Sequence, residues 1–133
     1  MLRTVASYAA QSLVVISLLA CSGIGTAQAR GFPRESVNTT LAVAELPREG
    51  RLTYRLIHQG GPFAYEKDGT VFGNRERLLP MQRRGYYREY TVAAPGARNR
   101  GAKRIVCGGQ RPKTPNTCYY TSDHYSSFKR IVE

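Results

Sequence analysis

The sequence predicts an α+β domain, one N-terminal helix packed on a mainly antiparallel sheet of about five strands. Three observations carry this. Pro47 opens and Gly60-Gly61-Pro62 closes a stretch whose apolar side chains lie on one side, the punctuation of a helix. From Pro62 onward the chain breaks into short runs rich in Tyr, Val, Ile and Thr, separated by turn residues, the pattern of strands. Helix first and strands afterwards suits a helix laid over one face of a sheet, with the other face left open.

Taken in order, residues 1–29 read as a signal peptide. Arg3 is the only charge before the apolar run Leu13–Ala20, which is too short to span a bilayer. Two processing routes fit: Leu18-Leu19-Ala20-Cys21 resembles a lipoprotein box, while Ala27-Gln28-Ala29 suits ordinary cleavage and is the preferred reading. The destination is secreted or periplasmic, lipid-anchored if Cys21 is processed. Residues 30–39 carry few apolar side chains and form a flexible leader. Residues 40–133 remain, enough for one modest core and not for two.

Within that domain, 40–44 is a short apolar run suited to an edge strand. A helix is expected over 47–58, with Leu52, Leu56 and Ile57 on its packed side. Strands follow at 70–75, 86–93, 103–107, 118–122 and 127–131. Alternation in the strand at 86–93 puts Tyr90 and Val92 on one side and Tyr87, Glu89 and Thr91 on the other. If Tyr90, Val92 and Ile105 face the helix, Glu89 and Arg104 share the open face.

Cys21 leaves the pairing problem by either processing route, so Cys107 and Cys118 should form a disulfide at the base of the polar loop GGQRPKTPNT. Two cysteines with His58 and His124 show no metal-ligand spacing. The chain of 133 residues holds 20 Lys and Arg against 9 Asp and Glu, a formal net charge of +11. Such a balance attracts polyanions and governs encounter and salt dependence, without specifying chemistry.

The blocks GGPFAYEKDGTVFGNRE, LP, YYREYTV, PGARNRGAKRIV and YYTSDHYSSF, in this order, resemble the guanyl-specific extracellular microbial ribonuclease family, with its streptomycete and barnase-like members. The resemblance runs from about Ala44 to Ile131 and implies the microbial ribonuclease fold. It implies a secreted endoribonuclease that cleaves single-stranded RNA after guanosine, through a 2′,3′-cyclic phosphate and then hydrolysis, with no cofactor and no metal. By the same resemblance Glu89 is the general base, Arg100 and Arg104 bind phosphate, and His124 is the general acid. The guanine subsite falls on Phe72, Gly73, Asn74, Arg75 and Glu76, with Tyr125 as the second ring of an aromatic pair around the base. Gly73 stands where the family commonly has a larger polar residue, at a peptide used mostly through its backbone.

The chemistry stands without the name. A carboxylate takes the 2′-hydroxyl proton, an imidazolium protonates the departing 5′-oxygen, and guanidinium groups stabilise the charge between them. A bell-shaped pH profile follows. His58 at the helix C-terminus reads as a surface residue compensating the dipole, and Tyr86, Tyr87, Tyr119 and Tyr120 read as sheet packing, with Tyr87 alone also able to reach the substrate groove. Arg83, Arg84, Arg88, Arg98, Arg111, Lys113, Lys129 and Arg130 are surplus charge, each phosphate they neutralise adding roughly −0.7 to the slope of log K against log salt. A monomer is expected. Two rival readings remain: a competition toxin paired with a barstar-like protein inhibitor, and a non-catalytic cationic RNA-binding protein on the same scaffold.

Overall fold

The computed structural model describes residues 37–133. The signal peptide with Cys21, and all of the leader except 37–39, lie outside the described residues. The order of elements is β1 (Thr40–Ala42), a 3-10 turn at Val43–Glu45, α1 (Arg48–Gln59), β2 (Thr70–Val71), β3 (Tyr87–Thr91), β4 (Arg104–Gly108), β5 (Thr117–Thr121) and β6 (Lys129–Val132). One helix lies on one sheet, as expected, but the sheet has six strands in the order β1-β6-β5-β4-β3-β2. From β2 to β6 the strands form an antiparallel meander. β1 joins β6 in parallel, Leu41 opposite Ile131, so the first and last strands close one edge and make the sheet mixed.

Pro47 is the N-cap of α1, and Gly60 ends it in the left-handed region (φ 83°), its N–H donating to Leu56 O at 2.8 Å. A side chain at Gly60 would run into Lys113 from the β4–β5 loop. Glycine serves there both the backbone conformation and the close approach. The packed stripe of α1 is Gly50, Thr53 and Ile57; of the expected Leu52, Leu56 and Ile57, only Ile57 is buried. Leu52 is exposed: at about 100° per residue it stands well round the helix from Ile57, whereas positions 50, 53 and 57 follow the i, i+3, i+7 row. Thr53 Oγ1 donates to Thr91 O at 3.1 Å and so ties the helix to the end of β3.

The helix-side core gathers Leu46, Ile57, Tyr90, Val92, Ile105, Cys107, Cys118, Tyr120 and Ile131. Alternation along β3 and β4 holds. The opposite face is not simply open: Leu79, Tyr87, Val106, Tyr119 and Phe128 form a second apolar cluster, with Phe72, Leu78 and Tyr125 packed on it. Left bare, those strand faces would expose a contiguous apolar patch, and the loop after β2 and the turn before β6 cover it. β2 is correspondingly shorter than the expected 70–75. Phe72 N still donates to Tyr87 O at 2.9 Å, after which Asn74 turns the chain with φ 47°.

Cys107 and Cys118 are directly paired across β4 and β5 and form the disulfide. The bond closes a loop with a sequence separation of 11, for which lost unfolded-state entropy contributes about 3 kcal/mol. Cys107→Ala/Cys118→Ala should therefore unfold about 3 kcal/mol more easily in urea. Because both cysteines face the helix side, the variant should leave the opposite face of the sheet unchanged while folded. An unchanged denaturation midpoint would contradict the entropic account.

Candidate active site

A cleft of about 770 Å³ opens on the face opposite the helix. It brings together Phe72, Gly73, Asn74, Arg75 and Glu76 after β2, Glu89 on β3, and His124 and Tyr125 after β5. Arg100 and Arg104 do not line it. They stand behind Glu89 and Tyr125.

Glu89 sits mid-strand between Thr70 of β2 and Val106 of β4, so the backbone fixes its direction. Its two oxygens are held separately: Arg100 Nη2 donates to Oε1 at 3.2 Å and the Tyr125 hydroxyl donates to Oε2 at 2.7 Å. Arg100 Nε is in turn bonded to Thr91 Oγ1 at 3.0 Å. A carboxylate offers about four lone-pair directions, so acceptor capacity remains on the cleft side. The Arg100–Glu89 pair is the one salt bridge between described residues. Arg75 makes no ion pair among the described residues.

Arg104 is buried to 2% exposure. Its Nη1 donates to the carbonyls of Arg100, Gly101 and Lys103, fixing the segment that carries Arg100. Its Nε is buried with no hydrogen-bond partner among the described residues. The guanidinium carbon lies 6.0 Å from the centroid of the Tyr125 ring. Burial, then the hydrogen bond to Glu89, pushes the Tyr125 hydroxyl up to about 12, so it stays a neutral donor throughout the working range.

His124 and Tyr125 have φ 54° and 69°. Left-handed backbone at two consecutive non-glycine residues costs about 1–2 kcal/mol each and needs support. Asp123 supplies it: Oδ1 accepts from Ser127 N at 2.9 Å and Thr121 Oγ1 at 2.8 Å, and Oδ2 accepts from Ser127 Oγ at 2.6 Å. Thr121 Oγ1 also accepts from Tyr125 N at 3.1 Å. His124 N donates to Ala102 O at 3.1 Å, tying this turn to the arginine-bearing segment. Sequence reasoning missed the supporting role of Thr121 and Asp123. The signal was a short polar residue four positions before Ser127 in TSDHYSS, a turn-forming pattern.

Hydrogen bonds, that of Ser127 foremost, hold the Asp123 carboxyl below its usual range. A carboxylate depressed in the folded state stabilises it above the unfolded value and loses that contribution as pH falls. The stability gap between wild type and Asp123→Asn should therefore be full at neutral pH and shrink below about pH 4. Thermal melts across pH 2–7 check this, and a gap that widens in acid would contradict it.

In the recognition loop, Asn74 spends its side chain on structure: Nδ2 donates to Leu79 O at 2.9 Å and Oδ1 accepts from Leu79 N at 3.1 Å. The amide clamps both polar groups of Leu79, and Asn74 O accepts from Arg77 N at 3.0 Å, so the backbone N–H groups of 73–76 are what the loop leaves for a ligand. Gly73 has no left-handed φ, and a Cβ there would meet Arg75 Cγ at an ordinary 3.6 Å, so the loop does not depend on glycine at that point. Glu76 is exposed at the cleft and makes no hydrogen bond or ion pair among the described residues. Phe72 and Tyr125 stack on each other at 5.1 Å between centroids with planes inclined by 30°. Rings in such contact leave no third layer between them, so the expected sandwich is closed on itself. Among described residues no group of three or more His, Cys, Asp or Glu is placed to hold a metal ion, and no helix is long and apolar enough to cross a membrane.

The ribonuclease family profile matches residues 31–132. The chain is 48% identical over 95 residues to guanyl-specific ribonuclease Sa of Kitasatospora aureofaciens, covering 71% of this chain and 95% of that relative. It is 52% identical over 86 residues to guanyl-specific ribonuclease Sa3 of the same organism, covering 65% of this chain and 58% of that relative. A crystal structure of ribonuclease Sa2 with guanosine-2′-cyclophosphate superposes with a TM-score of 0.64 at 39% identity, covering 71% of this chain and 95% of the other.

Proposed function

The chain belongs to the ribonuclease family, and from that premise we propose that it is a guanyl-preferring endoribonuclease working by transesterification and then hydrolysis. The observation that carries this reading is the cleft itself: Glu89 and His124 line one cavity together with the segment 72–76. A carboxylate and an imidazole sharing a cleft with a base-sized subsite are what a two-sided attack on one phosphodiester requires.

In the first step Glu89 accepts the proton of the guanosine 2′-hydroxyl as that oxygen bonds to the adjacent phosphorus. His124 gives its proton to the departing 5′-oxygen, and the P–O5′ bond breaks to leave a 2′,3′-cyclic phosphate. Arg100, fixed by Thr91 and Glu89, and Arg104, fixed by three carbonyls, place positive charge beside the developing phosphorane. Preorganised donors need no reorganisation as charge builds up. In the second step the roles reverse: His124 takes a proton from water, Glu89 returns one to the 2′-oxygen, and a 3′-phosphate remains.

Guanine is read by peptide groups of 73–76, which meet O6 and N7, and by the Glu76 carboxylate, which accepts from N1–H and the 2-amino group. Stacking comes from Phe72 and Tyr125, worth about 1–3 kcal/mol per base, after the two rings part or on the outer face of the pair. The protein acts as an exported monomer on single-stranded RNA. An inhibitor of the barstar type would need to set carboxylates against this arginine-rich rim.

The test is digestion of GpU, ApU and UpU by the purified protein in chelator, alongside His124→Ala. Guanosine-directed cleavage that passes through a cyclic phosphate and is lost in the variant is the expected result. Equal cleavage of all three linkages, or activity untouched by the substitution, would overturn the proposal. The latter result favours the non-catalytic RNA-binding reading.

A further inference from the structure

The wall of the active-site cleft has a second side. Val71–Arg75 separates that cleft from another of about 590 Å³ whose far side is Gln82, Arg83, Arg84, Gly85 and Tyr87. No carboxylate lines this second cavity. Arg75, Arg83 and Arg84 are all exposed, and their guanidinium groups make no hydrogen bond or ion pair among the described residues. Like charges gathered with no acidic partner repel one another, so their clustering asks for an anion. Guanidinium forks match phosphate oxygens in pairs.

We propose that this cavity is a phosphate subsite for RNA on the 5′ side of the recognised guanosine, a deduction that rests on the nuclease reading above. Position supplies the polarity. β3 runs from Tyr87 to Thr91, and the scissile-phosphate machinery gathers toward its end: Glu89 in the middle, Arg100 on Thr91, Arg104 opposite Thr91. The second cavity lies at its beginning, beside Tyr87, about 7 Å from Glu89 and about 13 Å from Thr91 at the usual strand rise. A guanosine whose base rests on 72–76 and whose 3′-phosphate points at Glu89 directs its 5′ side away from Arg100, over the shared wall. Preceding phosphates then meet Arg83 and Arg84. Gln82 adds an amide donor that is indifferent to sequence, so the subsite raises affinity for longer chains without adding base preference.

The experiment measures equilibrium binding of ligands in which every nucleotide 5′ to a phosphate lacks its 2′-hydroxyl, namely dGpU, the 5′-extended dUpdUpdGpU and the 3′-extended dGpdUpdUpU, to wild type and to Arg83→Ser/Arg84→Ser. In wild type the 5′-extended ligand should bind at least about tenfold more tightly than dGpU, the scale of one charge-assisted contact. The variant should lose that gain and keep its affinity for dGpU. Its salt slope for the 5′-extended ligand should flatten by roughly 0.7 for each phosphate contact removed. No gain from 5′ extension in wild type, a gain that survives the substitutions, or an equal loss for the 3′-extended ligand would each overturn the subsite. Absent cleavage of GpU would instead strike at the nuclease reading, on a separate measurement.

Discussion

Replacing Glu89 by glutamine should lower kcat for GpU by about 10² to 10⁴ and remove the acid limb of the pH profile, whereas His124→Ala should lower kcat similarly and remove the basic limb. The two limbs arise because turnover needs an ionised carboxylate and a protonated imidazole at once. Tyr125 does not confuse the assignment: its hydroxyl, pushed up to about 12 by burial and by Glu89, does not titrate between pH 4 and 9. The Glu89→Gln side chain keeps the shape of the original and an acceptor for Arg100 or Tyr125, so the lost charge dominates the effect. KM should move much less than kcat if the proton transfers are made only in the transition state. The double variant should lose less than the product of the two single losses, since the residues act in one concerted step. A wild-type profile that is flat from pH 4 to 9, or single variants that retain both limbs, would exclude this acid–base pair.

Much of this arrangement was legible in the sequence because period-two alternation is a strong local signal. Glu89 follows Tyr87 and precedes Thr91 on one strand face, and Arg104 and Val106 share that face on the next strand. The helix was equally plain from Pro47 and Gly60, since both residues act through their own backbone. Features that depend on tertiary placement were not legible. The parallel pairing of β1 with β6 joins segments from opposite ends of the domain, and no local pattern encodes it. Leu52 was misplaced because hydrophobicity was read without the small residues Gly50 and Thr53, which the helix buries instead. The Tyr125 hydroxyl on Glu89 was hidden for a similar reason: an aromatic residue in such a motif suggests stacking, while its polar tip finds a partner only once the fold is closed.

The closed aromatic pair has a bearing on catalysis. Tyr125 contacts Phe72 with its ring and Glu89 with its hydroxyl, so one side chain touches both the proposed base subsite and the proposed general base. A guanine that parts the two rings also moves the group that holds Glu89 Oε2. On the proposed roles, base recognition and readiness of Glu89 would be linked through a residue whose left-handed backbone is braced by Thr121 and Asp123. Substrates lacking a well-stacked base should then lose kcat as well as affinity, since remote binding energy serves the reacting centre.

Glu76→Gln should collapse the preference for guanosine while leaving the slow cleavage of other linkages nearly untouched. Two parallel hydrogen bonds from guanine N1–H and the 2-amino group need two acceptors, and a carboxylate provides them with a charge that strengthens both. Glutamine offers one acceptor and sets an amide N–H against a guanine donor, so the substituted site both loses and repels. A site built to hydrogen-bond its substrate rejects an analogue lacking those groups by up to about 10⁴, and that factor is what the substitution puts at risk. Because Glu76 is exposed and makes no bond within the described protein, its replacement removes no structural contact and the melting temperature should not move. Measuring kcat/KM for GpU, IpU and ApU separates the contributions: inosine keeps N1–H and O6 but lacks the 2-amino group, so wild type should place it between guanosine and adenosine. In the variant the three values should converge as GpU falls toward ApU. Survival of the GpU preference in Glu76→Gln would mean that the peptide groups of 73–76 alone read the base, and that the carboxylate is an exposed surface charge.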